Sequence, residues 1–260
     1  VRRIGAILSG LLIITYLLVV LGFVRNAHDG VLCNGIEVLI RDSLEQRFIS
    51  GSDVREMLRL EYPKIAGTQL SDLDAAGMEE TLSTIPAIEH VEVYGRIDGR
   101  LVVELSQRSP VARVEDREHR QYFLDREGYV IPAGNGYTPH ILTVNGEING
   151  RFVKKKNVLE EDAATVGGNI MKEVLALAGF IADDPFWEAQ IEQVYVNREG
   201  EFELVPRVGA QIILFGDGKQ IRQKFFKLGT LYCEGFRQKG WNQYEIINLK
   251  YQNQVICTKR

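Results

Sequence analysis

Residues Ile88 to Val114 read "IEHVEVYGRIDGRLVVELSQRSPVARV", and the fold turns on how that stretch is read. Val91 and Val93 alternate with polar neighbours in its first part, and Leu101, Val103 and Leu105 alternate in its second. That is the period-two pattern of half-buried strands. Gly95-Arg96-Ile97-Asp98-Gly99 between them has the composition of a hairpin loop.

Working back from the hairpin, Asp72 or Asp74 is placed to start a helix whose Met78, Leu82 and Ile85 share a face and which Pro86 ends. Before it, "SGSDVREMLRL" predicts a helix capped by Ser52 or Asp53, with Val54, Met57 and Leu58 on one face. Ile36, Val38 and Ile40 alternate as a further strand. Residues 33–107 therefore predict β-α-α-β-β, two helices over one face of a three-stranded sheet. Val54, Leu58, Leu82, Val91, Val103 and Leu105 are expected in one core.

Working forward, the texture changes from Ser109 to short strands at Val111–Val114, Gln121–Leu124 and Tyr129–Ile131, with a turn at Asp125-Arg126-Glu127-Gly128. A helix over Gly168–Asp183 should bury Ile170, Val174, Leu175, Ala178 and Ile181. Strands follow at Ile191–Val196, Phe202–Pro206 and Ala210–Phe215. The next helix, Gly218–Gln238, places Ile221, Phe225, Leu228 and Tyr232 on its apolar face with Lys224 and Lys227 outside it. Near the C-terminus Ile247, Leu249 and Tyr251 alternate with Asn248, Lys250 and Gln252. Gln252-Asn253-Gln254 reads as a turn, and Val255–Lys259 as a final strand. A last strand tends to lie at a sheet edge, which is either blunted or used for docking another chain. The fold class is α+β, with residues 108–260 as a mixed β domain.

The run Ile4–Val24, "IGAILSGLLIITYLLVVLGFV", carries no charge. As a helix it spans roughly 30 Å, the thickness of a bilayer's hydrocarbon core. It is longer than the apolar part of a signal peptide, and Arg25 falls where a cleavage site wants a small residue. A core helix with no polar face would need a larger protein around it. The expectation is a retained single-pass anchor at 4–24, with residues 1–3 a cytoplasmic remnant and 25–32 a linker. Arg2 and Arg3 before the span, against Arg25 after it, favour the N-terminus inside.

The chain has 31 Lys and Arg against 35 Asp and Glu; setting aside Arg2, Arg3 and Arg25 takes the net charge from −4 to −7. That argues against nucleic acid as a partner. Cys33, Cys233 and Cys257 form no C-x-x-C pair or zinc spacing and read as buried thiols. The four histidines are scattered, with no H-x-x-x-H pair, and His90 reads as a surface or interface residue on its strand rather than a ligand. No G-x-S-x-G elbow occurs. "GDGK" at Gly216–Lys219 lacks the first glycine and the hydroxyl residue of a phosphate loop; it reads as a turn opening a helix, with Asp217 as the cap. Neither catalytic machinery nor a cofactor site is expected.

Three further stretches join the hairpin in one order and spacing. Pro110-Val111-Ala112-Arg113 follows it as a Pro-x-Ala-x crossing, Asp125, Gly128 and Pro132 give D-x-x-G-x-x-x-P, and Ile247-Asn248-Leu249-Lys250-Tyr251 stands before the last turn. With the β-α-α-β-β unit, this arrangement resembles the POTRA domain and β domain of the FtsQ/DivIB cell-division proteins, over nearly the whole chain. The departures are Asn248 and Gln252 where the family has Asp, and Lys250 where it has Arg. A lysine lacks the planar fork for bidentate carboxylate pairing.

The resemblance implies a non-enzymatic inner-membrane scaffold with its bulk in the periplasm, enriched at the division septum. It implies binding and recruitment of FtsB-like and FtsL-like partners, upstream of septal peptidoglycan synthesis, through strand addition to the last strands. On this chain the partner-binding residues would be Lys250, Tyr251, Gln252, Asn253, Val255, Ile256 and Thr258. Tyr251 would be the anchor, against the alternative that it packs in the core with Ile247 and Leu249. Other readings of the architecture are a POTRA chaperone module, a membrane-anchored extracytoplasmic sensor and an anchored hydrolase.

Overall fold

The computed structural model describes residues 12–17, 19, 30–42, 46–134, 136–148, 157–159, 168–236 and 240–260. Most of the apolar run Ile4–Val24 lies outside them, as does the basic run 154–156. Residues 12–17 and 19 are helical, and no helix among the described residues is long and apolar enough to cross a membrane. The chain divides into two compact units, Val1–Gln107 and Arg108–Arg260.

The first unit runs β1 (Gly35–Ile40), α1 (Gly51–Glu61), α2 (Ala75–Ser83), β2 (Ile88–Gly95) and β3 (Arg100–Gln107). The sheet order is β1-β3-β2. β2 and β3 form the antiparallel hairpin, with Val91 opposite Leu105 and Val93 opposite Val103. β1 joins β3 in parallel, as a strand reached through two helices can. The six apolar residues expected in the core, Val54, Leu58, Leu82, Val91, Val103 and Leu105, are in it together with Met78 and Leu101.

Both helix starts differ from their predicted caps or resolve between them. α1 is capped by Ser50, whose hydroxyl accepts from the Asp53 amide while the Asp53 carboxylate accepts from the Ser50 amide. Ser52 and Asp53 are thus inside the helix, one turn later than the cap. α2 is capped by Asp74, which accepts from Gly77 N; Asp72 belongs to a short 3₁₀ turn.

The second unit begins with β4 (Pro110–Glu115), β5 (Gln121–Asp125), β6 (Val130–Pro132) and β7 (Leu142–Gly146). It continues through α3 (Gly168–Ala182), α4 (Pro185–Gln190), β8 (Ile191–Val196), β9 (Phe202–Pro206) and β10 (Ile212–Gly216). α5 (Ile221–Thr230), β11 (Tyr244–Asn248) and β12 (Ile256–Lys259) complete it. One mixed sheet takes all nine strands in the order β12-β11-β10-β9-β8-β7-β4-β5-β6. β7 and β8 are parallel because α3 and α4 lie between them in the chain, and β10 and β11 are parallel because α5 does. Val194, Val196, Phe202, Leu204, Ile213, Phe215 and Ile247 share a core with Val174, Ala178, Ile181 of α3 and Phe225, Leu228 of α5. The intervening strand residues, Tyr195, Glu203, Ile212 and Ile246 among them, are half-buried or exposed.

The Asp125–Gly128 turn rests on a buried carboxylate. Asp125 accepts from Tyr129 N (2.6 Å) and from the Arg108 guanidinium (2.8 Å), and that guanidinium lies 3.7 Å from the centroid of the Tyr129 ring. Gly128 has φ +82°, and a Cβ there would sit 2.9 Å from Asn157 Oδ1, so only glycine fits the turn.

The second unit departs from the sequence reading in several places. β7 has no counterpart in the predicted strands, because "LTVNG" is short and closes on turn-forming residues. The helix predicted over Gly218–Gln238 is α5 followed by one π-helical turn, Leu231–Phe236. That extra residue per turn keeps Tyr232 and Phe236 facing the core. Of the three thiols only Cys33 is buried; Cys257 is half-buried and Cys233 exposed. His90 is exposed beside Glu92, as expected of a surface residue.

Lys224 is the clearest reversal: it is only 6% exposed. Its Nζ donates to Asp217 Oδ1 (2.8 Å) and Asp217 O (2.7 Å) and stands 4.8 Å from the Phe215 ring centroid. Asp217 does not cap α5, whose N-cap is Gln220 with no side-chain bond. Its carboxylate instead neutralises a buried cation, and the hydrogen bond from Lys224 holds its pKa below the usual aspartate range.

Candidate functional site

β11 is built to sit one strand in from the edge. Its Ile247 is fully buried, and Ile212, Ile213 and Leu214 of β10 pair with Ile246, Ile247 and Asn248. The strand ends at Asn248, three residues before its predicted end at Tyr251. Two contacts end it there. The Asn248 side-chain oxygen accepts from Lys250 N (3.0 Å), an Asx-type turn. Leu249 plugs the core at 0% exposure while its amide donates to Leu214 O (2.9 Å). Asparagine keeps the acceptor an aspartate would supply, so the departure at this position leaves the turn intact.

With the strand ended, Tyr251 no longer shares the parity of Ile247 and Leu249. It is 48% exposed and outside the core. Gln252, Asn253 and Gln254 are exposed as well, and the chain returns as β12, antiparallel to β11, with Asn248 opposite Ile256 and Ile246 opposite Thr258. β12 starts at Ile256 rather than at Val255. Val255 and Cys257 pack against the core, whereas Ile256 (42% exposed) and Thr258 point away from it beside Asn248 and Ile246.

Among the described residues no strand lies on the outer side of β12. Arg260 N donates inward to Gln243 O. Alternation along an antiparallel strand then turns the amides of Cys257 and Lys259 outward. The Arg260 guanidinium donates to Ala210 O (3.2 Å) and pins the strand's far end.

Three residues outside the predicted set hold the turn in position. Lys227 of α5 donates from Nζ to Leu249 O (2.9 Å) and to Tyr251 O. Burial, and secondarily the nearby Lys224 charge, lowers its pKa from the ordinary lysine value. Lys250 is ion-paired to Glu201 within its own domain, and its stem lies over Gly216, 3.1 Å from where a Cβ would be. Gly216 has φ +80° and ends β10, so both its backbone and its neighbour require glycine.

The predicted site residues therefore separate into groups. Tyr251, Gln252, Asn253, Ile256 and Thr258 are solvent-facing on one connection and one edge. Val255 turns its side chain inward, and Lys250 is already paired. Lys227 and Glu201 carried no signal in the sequence, since a lysine on the polar side of a helix and a glutamate after a turn read as solvated charge. Among the described residues no group of His, Cys, Asp and Glu is placed to hold a metal ion.

Comparison with known proteins places these parts. Residues 31–106 match the model of the POTRA-like domain. Over 195 residues the chain is 24% identical to a cell division protein FtsQ of Rhodothermus marinus, an alignment covering 74% of this chain and 67% of that protein. Residues 109–258, more than half of the chain and including the C-terminal edge as far as Thr258, match the family model described as FtsQ/DivIB, C-terminal related, and the chain belongs to that FtsQ-related cell-division family.

Proposed function

We propose that the protein is a membrane-anchored cell-division scaffold whose last strand, β12, takes an extended segment of an FtsB-like partner by strand addition. Residues 4–24 would be the anchor, residues 33–107 the POTRA domain and residues 108–260 the partner-binding β domain, held in the periplasm at the septum. The observation that carries this reading is the outer side of β12, unpaired among the described residues, with Tyr251, Ile256 and Thr258 exposed along it. An edge left unpaired and apolar is normally blunted by charge, proline or a cover. Here Ile256 lies in the exposed row, the strand has no proline, and its one charged residue, Lys259, stands at its far end.

The outward amides supply generic affinity, each backbone bond contributing about 0.5–1.5 kcal/mol net. Tyr251 supplies the anchor, an aromatic side chain with free surface beside the edge. Lys250 contributes to the site through its pairing with Glu201, which fixes the turn, and is then available to an acidic partner residue only in exchange for Glu201. The role is one of binding, with FtsL-like protein recruited alongside, and no reaction is assigned.

The test is titration of an FtsB-like segment into the full chain and into Tyr251→Ala and Val255→Pro variants. Tyr251→Ala should weaken binding by about 2 kcal/mol or more, as a hot spot does, with circular dichroism unchanged. Val255→Pro removes a backbone donor where the chain enters β12, and should abolish binding. Two folded variants that bind the segment at full strength would show that the edge is not the site.

A further inference from the structure

The POTRA sheet has two edges, and they are treated differently. On β2 the Val93 amide donates to Glu79 Oε1 of α2 at 2.7 Å, so a helix carboxylate occupies a donor that an added strand would need. Such cover is how edges are kept from pairing.

β1 has no such cover among the described residues. Arg41 N donates to Leu105 O, and Ile40 is in register with Leu105. In a parallel pair donors alternate sides along the strand, which turns the amides of Val38 and Ile40 away from β3. Beside them lies a concavity of about 470 Å³, lined by residues 34–39 together with Arg55 and Arg100.

The charges at that concavity do not balance. Glu37 is engaged by Arg96 (3.0 Å) and Arg100 (3.3 Å), and Arg41 by Glu104 (2.8 Å). Arg55, half-buried on α1 close to Gly51 and Val38, has no ion pair or hydrogen bond with any described residue. A guanidinium partly removed from water normally has its donors satisfied by an anion.

We propose that the edge of β1 is a second docking site, taking an extended segment of a partner protein whose carboxylate side chain pairs with Arg55. The backbone of that segment bonds the outward groups of Val38 and Ile40. The carboxylate sets its register, because only an alternate side chain on one face reaches the concavity. This site is separate from β12, and neither depends on the other.

The probe is a capped ten-residue peptide alternating threonine and valine with one central glutamate, titrated against the full chain kept soluble with detergent. Binding should protect the Val38 and Ile40 amides from hydrogen exchange. Replacing the peptide's glutamate by glutamine should weaken binding roughly tenfold, the size of a charge-assisted hydrogen bond. Arg55→Gln, an exchange on a helix surface that leaves the core untouched, should weaken the glutamate peptide to that same level and leave the glutamine peptide unaffected. The proposal is overturned by no binding at millimolar peptide, by equal binding across these pairs, or by protection appearing at β12 in place of β1. It is equally overturned if sedimentation shows β1 occupied by a second copy, through a dimer that Val38→Pro dissociates.

Discussion

Replacing Lys227 by methionine isolates what fixes the C-terminal edge. The stem and its packing on α5 are retained; the ammonium that donates to Leu249 O and Tyr251 O is lost. The Tyr251 carbonyl belongs to an exposed residue and rehydrates at little cost. The Leu249 carbonyl belongs to a fully buried residue, and an unsatisfied buried acceptor costs about 1–3 kcal/mol. Against that, the variant no longer buries part of a charge, the effect that lowers the Lys227 pKa. The net expectation is a loss of about 1–2 kcal/mol, felt first by the segment that follows. For a domain of this size that corresponds to about 2–8 °C in melting temperature. Exchange of the inward-bonded amides of this segment, Leu249, Ile256 and Thr258, should accelerate about 5–30-fold, with the amides of β8 and β9 little changed. Binding of the FtsB-like segment should weaken in parallel, and Lys227→Arg should restore part of both. A folded Lys227→Met variant with unchanged exchange across β12 would refute the claim that this lysine holds the edge.

Leu82→Ala should destabilise the POTRA unit by about 2–5 kcal/mol in denaturant titration, since the side chain is fully buried in its core; a loss near zero would mean the cavity is not formed. Asp217 has a depressed pKa in the folded state, so its stabilisation is present above the ordinary aspartate pKa and disappears as pH falls through and below that range. Asp217→Asn should therefore flatten the acid limb of stability measured by urea titration between about pH 5 and 2, and an unchanged slope would refute the pairing with Lys224. A reporter enzyme active only in the periplasm, fused after Arg260, should be active; activity of a cytoplasmic reporter at the same position would overturn the proposed topology.

The sequence by itself determined the β-α-α-β-β order, the apolar set Val54, Leu58, Leu82, Val91, Val103 and Leu105, and the α3 face built from Val174, Leu175, Ala178 and Ile181. These follow from periodicity and local caps, which act within a few residues and are written in neighbouring letters. It also marked the last segment as a strand at an edge, because alternation there is plain. What it left open was how Tyr251 is disposed, since parity alone grouped it with Ile247 and Leu249. Tertiary structure decided that through the Asn248 side chain, which turns the chain, and through Leu249, which takes the last core position. Lys224 and Lys227 read alike on a helix, yet one is buried over Phe215 and the other clamps two carbonyls more than twenty residues away. Whether a lysine is solvated, buried or structural depends on acceptors that distant segments bring to it. Arg55 is the same case with no acceptor among the described residues. Glu37, which lines the same concavity, is engaged instead by Arg96 and Arg100 from either side of the hairpin loop.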